Sequence, residues 1–213
     1  MAHTIACLNP KGGSGKTTLV TNIARAFQEY GQVIILDTDP QQTAGEWAER
    51  SPDDYPAVAY VKGVVLKKQV PKFKAMFDFV FIDGAASLGE VIADAMKSAD
   101  LVLIPVQPSL PDIWATSDLV EAIKMRQSIT DGVPDAAFVI SRQVVGTRLA
   151  AGVELPLQQF GLRVLDGRTA NRVAYAEAIS GGVSVLDYAP RSKAAQEIKD
   201  IATEVRGLIY ATV

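Results

Sequence analysis

Two residue types that carry much of enzyme chemistry are nearly missing from these 213 residues. There is one cysteine, Cys7, and one histidine, His3. A lone cysteine rules out an intrachain disulfide framework and a cysteine-ligated zinc or iron–sulfur centre. It lies in the apolar run TIACL and reads as a small core residue. A lone histidine leaves almost no material for a histidine metal site or a nucleophile–histidine pair, so His3 reads as structural or solvated. No apolar run approaches the roughly 20 residues of a membrane span. The opening MAHTIACLNP lacks the basic-then-apolar layout of a secretory leader. We therefore expect a cytoplasmic protein with no membrane association. Surplus positive charge is missing too. With 21 Lys/Arg against 24 Asp/Glu, the net charge is −3, which excludes a globally basic nucleic-acid binder. The balance is uneven. From Arg142 to Arg206 nine basic residues meet seven acidic ones, a local +2 that leaves −5 for the rest. A basic patch in the last third is compatible with this.

What is present is a soluble-type composition, 48% hydrophobic, in a length that suits one domain spanning residues 1–213. Short β-rich runs alternate with helical patterns. TIACL, VIILD, AVAYV, FDFVFID, DLVLIPV and AAFVIS read as strands, and LRVLD and VSVLD as shorter ones. TTLVTNIARAFQEYG carries Leu19, Ile23, Ala26 and Phe27 at helical spacing. Further helices are predicted over 41–50, 64–76, 87–97, 113–130, 150–160, 170–180 and 191–211. The alternation predicts an α/β fold with a mostly parallel twisted sheet flanked by helices on both faces. Ligands of such sheets bind beyond the carboxyl ends of the strands, and the informative residues stand there.

The stretch LNPKGGSGKTT follows the first strand and opens a helix, the context of a phosphate-binding loop. The usual pattern is G-x-x-x-x-G-K-[ST]. Gly15, Lys16 and Thr17 match its end, but Pro10 replaces the first glycine and a second lysine, Lys11, follows it. Gly12, Gly13, Ser14 and Gly15 let backbone N–H groups turn around phosphate oxygens, and the helix dipole of the segment from Lys16 through Thr18 adds positive potential. Lys16 can reach the outer phosphates, and the Thr17 hydroxyl can ligate Mg²⁺. FVFIDGAA leaves Asp83 at a strand tip to hold Mg²⁺, often through water, or to cap the next helix. ILDTDPQQ sets Asp37 and Asp39 one residue apart at another strand end. Asp39 suits an attacking water, and Asp37 the surroundings of the metal. An Asx-turn at Asp39–Pro40 fits the same residues. Together these motifs predict a P-loop NTPase that binds a nucleotide with Mg²⁺.

KGGSGKTT, DTDPQ, FVFIDGAA and LIPVQPS, in this order, resemble the ParA/MinD family of deviant-Walker ATPases. The stretch from Arg172 to Val205 is similar to the C-terminal part of ParA-type partition proteins. The chain is most similar to the short ParA type, without the N-terminal DNA-binding extension of longer relatives. The resemblance implies that Lys11 crosses an ATP-sandwich homodimer to the partner's nucleotide. Pro10 would stiffen the loop entry. It further implies weak basal ATP hydrolysis to ADP and phosphate, with Lys11, Lys16 and Asp39 as catalytic residues. Binding of the dimer to non-specific DNA is implied, as is stimulation by a ParB-like or other cargo adaptor. The outcome would be plasmid, chromosome or protein-cargo positioning from a cytoplasmic, nucleoid-associated location.

For DNA contact the candidates are Arg163, Arg168, Arg172, Arg191, Lys193 and Lys199, diluted by Asp166, Glu177, Asp187 and Glu197. Asp112 falls in a loop that the resemblance places near the nucleotide and the dimer interface, or it caps the next helix. Trp47 and Trp114 read as packing residues, and Ser141 and Arg142 as possible adenine contacts. Two alternatives stay open: a metabolic ATP-dependent synthetase or transferase of the same fold, and a MinD-like membrane-cycling ATPase. The second wants a basic amphipathic C-terminal helix, whereas EIKDIATEVRGLIYATV reads as a packed final helix.

Overall fold

Seven parallel strands organise the computed structural model, which describes residues 2–86, 89–147 and 152–211. They are β1 His3–Cys7, β2 Val33–Asp37, β3 Ala57–Tyr60, β4 Phe79–Asp83, β5 Leu101–Val106, β6 Asp135–Ile140 and β7 Arg163–Val164. Their order is β3-β2-β4-β1-β5-β6-β7, with every pairing parallel. The central strands read as unbroken apolar runs because helices cover both of their faces. The chain winds to one side of β1 through β2, β3 and β4, and then to the other through β5, β6 and β7. The reversal at β1 opens a crevice beyond the strand ends, where ligands bind in such sheets.

Side-chain alternation along the strands sorts the helices into two layers. Ile5, Ile35, Phe81 and Val139 face α1 (Lys16–Phe27), α2 (Thr43–Ala48), α8 (Val173–Ser180), α9 (Val185–Tyr188) and α10 (Lys193–Ala211). Ile34, Val80, Ile82 and Phe138 face α3 (Gly63–Lys74), α4 (Glu90–Ser98), α5 (Leu110–Trp114), α6 (Ser117–Gln127) and α7 (Glu154–Gln158). Cys7 is buried in the first layer. His3 stacks on Phe79 and meets Tyr210 edge-on, a structural role. Trp47 is buried, with its indole N–H donating to the Val183 carbonyl at 3.3 Å.

Several expectations change. VSVLD is not a strand: Ser184 accepts the Leu186 N–H and starts the short helix α9. Its apolar spacing serves a helix face, and the Asn22 carbonyl oxygen anchors Ser184 and Val185 from α1. LRVLD contributes only Arg163 and Val164 to the sheet edge. The helix expected over 113–130 is two helices, broken at Ala115–Thr116. Trp114 is 63% exposed, so it is not a packing residue. The starts of the helices expected over 87–97 and 150–160 fall on residues outside the described ones. α10 turns Ile198, Ile201, Val205 and Leu208 into the core, as a packed final helix should. Among the described residues no helix is long and apolar enough to cross a membrane.

Candidate functional site

Asn9 fixes the entry to the loop after β1. Its amide donates to the Pro105 carbonyl at 2.6 Å, and its oxygen accepts the Lys11 N–H at 2.7 Å. Gly13 and Gly15 have φ of 73° and 98°, a left-handed region that glycine enters without a Cβ penalty. The loop carbonyls are tied to the far strands. Gly13 accepts from Gln107 and from Arg142, both at 3.1 Å, and Ser14 accepts from the Ser141 hydroxyl at 2.6 Å. In a trans peptide the next N–H points the opposite way, so the N–H groups of Ser14 and Gly15 turn away from β5 and β6. Lys16 is 7% exposed, and its ammonium donates to the Lys11 carbonyl at 3.2 Å. Gly12 through Thr18 form one wall of a cavity of about 490 Å³. Asp39 and Thr43 form a second wall, and Thr169, Asn171, Arg172, Tyr175 and Ile179 a third.

The acidic side meets the loop at Thr17, whose hydroxyl donates to Asp83 Oδ2 at 2.7 Å. Asp83 Oδ1 is buried and has no hydrogen-bond partner. Burial pushes the Asp83 carboxyl up to about 7, against the Thr17 hydrogen bond and Lys16; Asp37 and Asp39 push it further up. Asp37 is the register partner of Asp83 and is fully buried. Its oxygens accept the N–H groups of Asp39 at 2.9 Å, Ala44 at 3.1 Å and Gly45 at 3.2 Å. Burial raises its pKa as well, against those three backbone bonds. Asp37 thus holds the start of α2, beside Asp83. Asp39 makes the Asx-turn, accepting the Gln41 N–H at 2.9 Å, and still lines the cavity.

An orphaned, buried carboxylate oxygen next to a threonine hydroxyl fits a hard divalent cation. Among the described residues no group of three His, Cys, Asp or Glu could form a cage. An ion here would take its other ligands from phosphate and water, as Mg²⁺ commonly does.

Lys11 does not line the cavity. Its ammonium lies 2.7 Å from Asp112 Oδ1, with the Lys11 side chain 45% exposed and Asp112 13%. The cap of α5 is Ser109, which accepts the Asp112 N–H and also bonds the Asp112 carboxylate. Of the basic residues in the last third, Arg172 lines the cavity and pairs with Glu197 at 2.6 Å. Arg168 pairs with Glu154 at 2.9 Å. Arg163, Arg191, Lys193 and Lys199 are exposed. Sequence reading did not foresee the bracing of the loop by Gln107 and Arg142, nor the third wall of the cavity. The one available signal was the position of Gln107, Ser141 and Arg142 just past strand ends.

A buried loop lysine, a threonine–aspartate pair and a crevice at the strand reversal define a P-loop nucleotide site. The chain belongs to the CobQ/CobB/MinD/ParA nucleotide binding domain family, whose model matches residues 5–200. Maintenance of carboxysome distribution protein A of Halothiobacillus neapolitanus is 32% identical over 209 residues, 96% of each chain. Chromosome-partitioning ATPase Soj of Thermus thermophilus is 26% identical over 234 residues, 94% of each chain. The septum site-determining protein MinD of Pyrococcus horikoshii, solved as its Mg-ADP complex, shares the fold. Its TM-score is 0.76 at 20% identity, covering all of this chain and 99% of that one.

Proposed function

We propose that this protein is a ParA-type ATPase that forms a homodimer on binding ATP, attaches to DNA without sequence preference, and positions a cargo. A cargo adaptor stimulates hydrolysis and releases the protein from DNA. Its place is then cytoplasmic and nucleoid-associated. The 32% identity to a carboxysome-distribution protein favours a protein microcompartment over a plasmid as the cargo.

Residue roles follow from charge and position. Lys16 lies within the loop and neutralises the outer phosphates. Loop N–H groups from Gly12 to Thr18 hold the phosphate oxygens. Thr17 and Asp83 would hold Mg²⁺, with Asp37 fixed behind them. That ion, when bound, would offset charge on the transferring phosphoryl group. Asp39 faces the cavity and orients the attacking water. Phosphoryl transfer depends mainly on positioning and charge neutralisation, so basal turnover is slow until a partner completes the site.

The observation that carries this reading is the division of labour between the two loop lysines. Lys16 is buried at its own loop, whereas Lys11 is half-exposed, outside the cavity lining and paired with Asp112. Charge on Lys11 helps a triphosphate only by reaching oxygens, and a second subunit supplies them. Sedimentation with ATP and Mg²⁺ tests this. Wild type should dimerise. Lys11→Ala should bind nucleotide yet stay monomeric, while Lys16→Ala loses nucleotide binding at least 100-fold. A Lys11→Ala protein that dimerises and turns over normally would sink the reading.

A further inference from the structure

Between Asp54 and Asp78 stand five lysines and no acidic residue, in a chain of net charge −3. Four belong to α3 and the fifth, Lys62, is its N-cap. Lys74 pairs with Asp100 at 3.1 Å. Lys62, Lys67, Lys68 and Lys72 are exposed, with no ion-pair or side-chain hydrogen-bond partner among the described residues. α4 packs against this helix and offers Glu90 and Asp94, of which Asp94 is already paired with Lys97 at 3.3 Å. In the last third Arg168 and Arg172 are each neutralised by a glutamate, and the exposed Arg163, Arg191, Lys193 and Lys199 are interspersed in sequence with Asp166, Glu177, Asp187, Glu197 and Asp200.

We propose that the outer face of α3, presenting Lys62, Lys67, Lys68 and Lys72, is the surface through which this protein contacts the phosphate backbone of DNA. The inference rests on the DNA-binding reading above and assigns its surface. α3 lies in the helix layer opposite α10, which carries Lys193 and Lys199. The two candidate surfaces are therefore on different sides of the sheet.

Three features select DNA as the occupant. Free lysines on flexible stems suit a partner read by charge rather than by base edges. From Lys62 to Lys72 the helix rises about 15 Å at 1.5 Å per residue, about four phosphates at 3.4 Å per strand. A bilayer would need a free apolar face, but Leu66 and Val70 are buried in the core and Phe73 packs on it.

The test measures binding of a random-sequence duplex by fluorescence anisotropy, with ATP and Mg²⁺, over a range of salt. The triple variant Lys67→Gln, Lys68→Gln, Lys72→Gln should bind at least tenfold more weakly. Its salt slope should fall by about two to three, near one per lysine removed. The corresponding triple Arg variant should restore binding, and ATP-dependent dimerisation should match wild type in both. Wild-type affinity and slope in the Gln variant, with the loss appearing instead in Lys193→Gln, Lys199→Gln, would overturn the assignment and leave the DNA reading standing. If wild type itself ignores DNA at low salt, that reading falls and the assignment with it. Pull-down by phosphatidylglycerol vesicles but not by DNA, abolished in the Gln variant, would overturn it in favour of a lipid surface.

Discussion

Asp83 ends a strand that buries every residue, and its carboxylate is asked to carry charge where water is excluded. Burial raises its pKa to about 7 from 3.8, with Asp37 and Asp39 adding to the rise. The sign of the stability effect follows. Between roughly pH 4 and pH 7 the native form keeps a proton that the unfolded chain has released, so stability falls as pH rises through that window. The contribution is on the order of a few kcal/mol. Thermal unfolding in EDTA without nucleotide, from pH 5 to 8, should show a falling Tm in wild type. Asp83→Asn should flatten that fall and be the more stable protein at pH 8, though it binds Mg-nucleotide poorly. Parallel curves for the two proteins would refute this account. The place of Asp83 at a strand tip was legible in the sequence, because the apolar run before it marks the buried strand that it ends. That one oxygen of Asp37 would accept the Ala44 and Gly45 N–H groups of α2 was not, because the return of those residues depends on how the chain bends after Pro40.

β1 and β4 must approach closely for Thr17 to meet Asp83, and Gly84 permits it. A Cβ there would sit 2.6 Å from Leu8 Cδ2 and 2.8 Å from the Cys7 carbonyl. Gly84→Ala should destabilise the protein by roughly 1–3 kcal/mol through overpacking, read from urea denaturation, and should weaken Mg-nucleotide binding by shifting the strand tip. Wild-type values in both measurements would show that the strand ends have slack. Elements whose apolar period was long were legible: β1, α1, β2, β4, β5 and α10 stand close to where periodicity put them. Short ones were not. VSVLD alternates like a strand, yet Ser184 caps a helix because Asn22 of α1 reaches it across 162 residues. Helix periodicity over 113–130 concealed a break, and it gave no hint that Trp114 would stand exposed.

The molecule holds Lys11 on its own Asp112 at 2.7 Å, although the proposed dimer needs Lys11 elsewhere. Dimerisation must therefore exchange this contact. A partly exposed ion pair is worth up to about 1 kcal/mol, which corresponds to about fivefold in an equilibrium. Asp112→Asn should accordingly lower the ATP concentration for half-maximal dimerisation by about two- to fivefold in analytical ultracentrifugation. A rise in that concentration would mean that Asp112 serves the dimer itself. The basic surfaces show the same dependence on the whole fold. In sequence the last third held the local positive balance, but Arg168 and Arg172 fold against Glu154 and Glu197, while the lysines of α3 meet almost no acid.

Strand, loop and helix around Lys16 needed only local information, because apolar periodicity sets burial and glycine chemistry sets the turn within a few residues. The same holds for the carboxylates at the strand ends. Pairing needed the fold. Thr17 finds Asp83 across 66 positions and Arg142 finds Gly13 across 129. Which charges are cancelled and which stay free depends on distances in space that residue order does not specify.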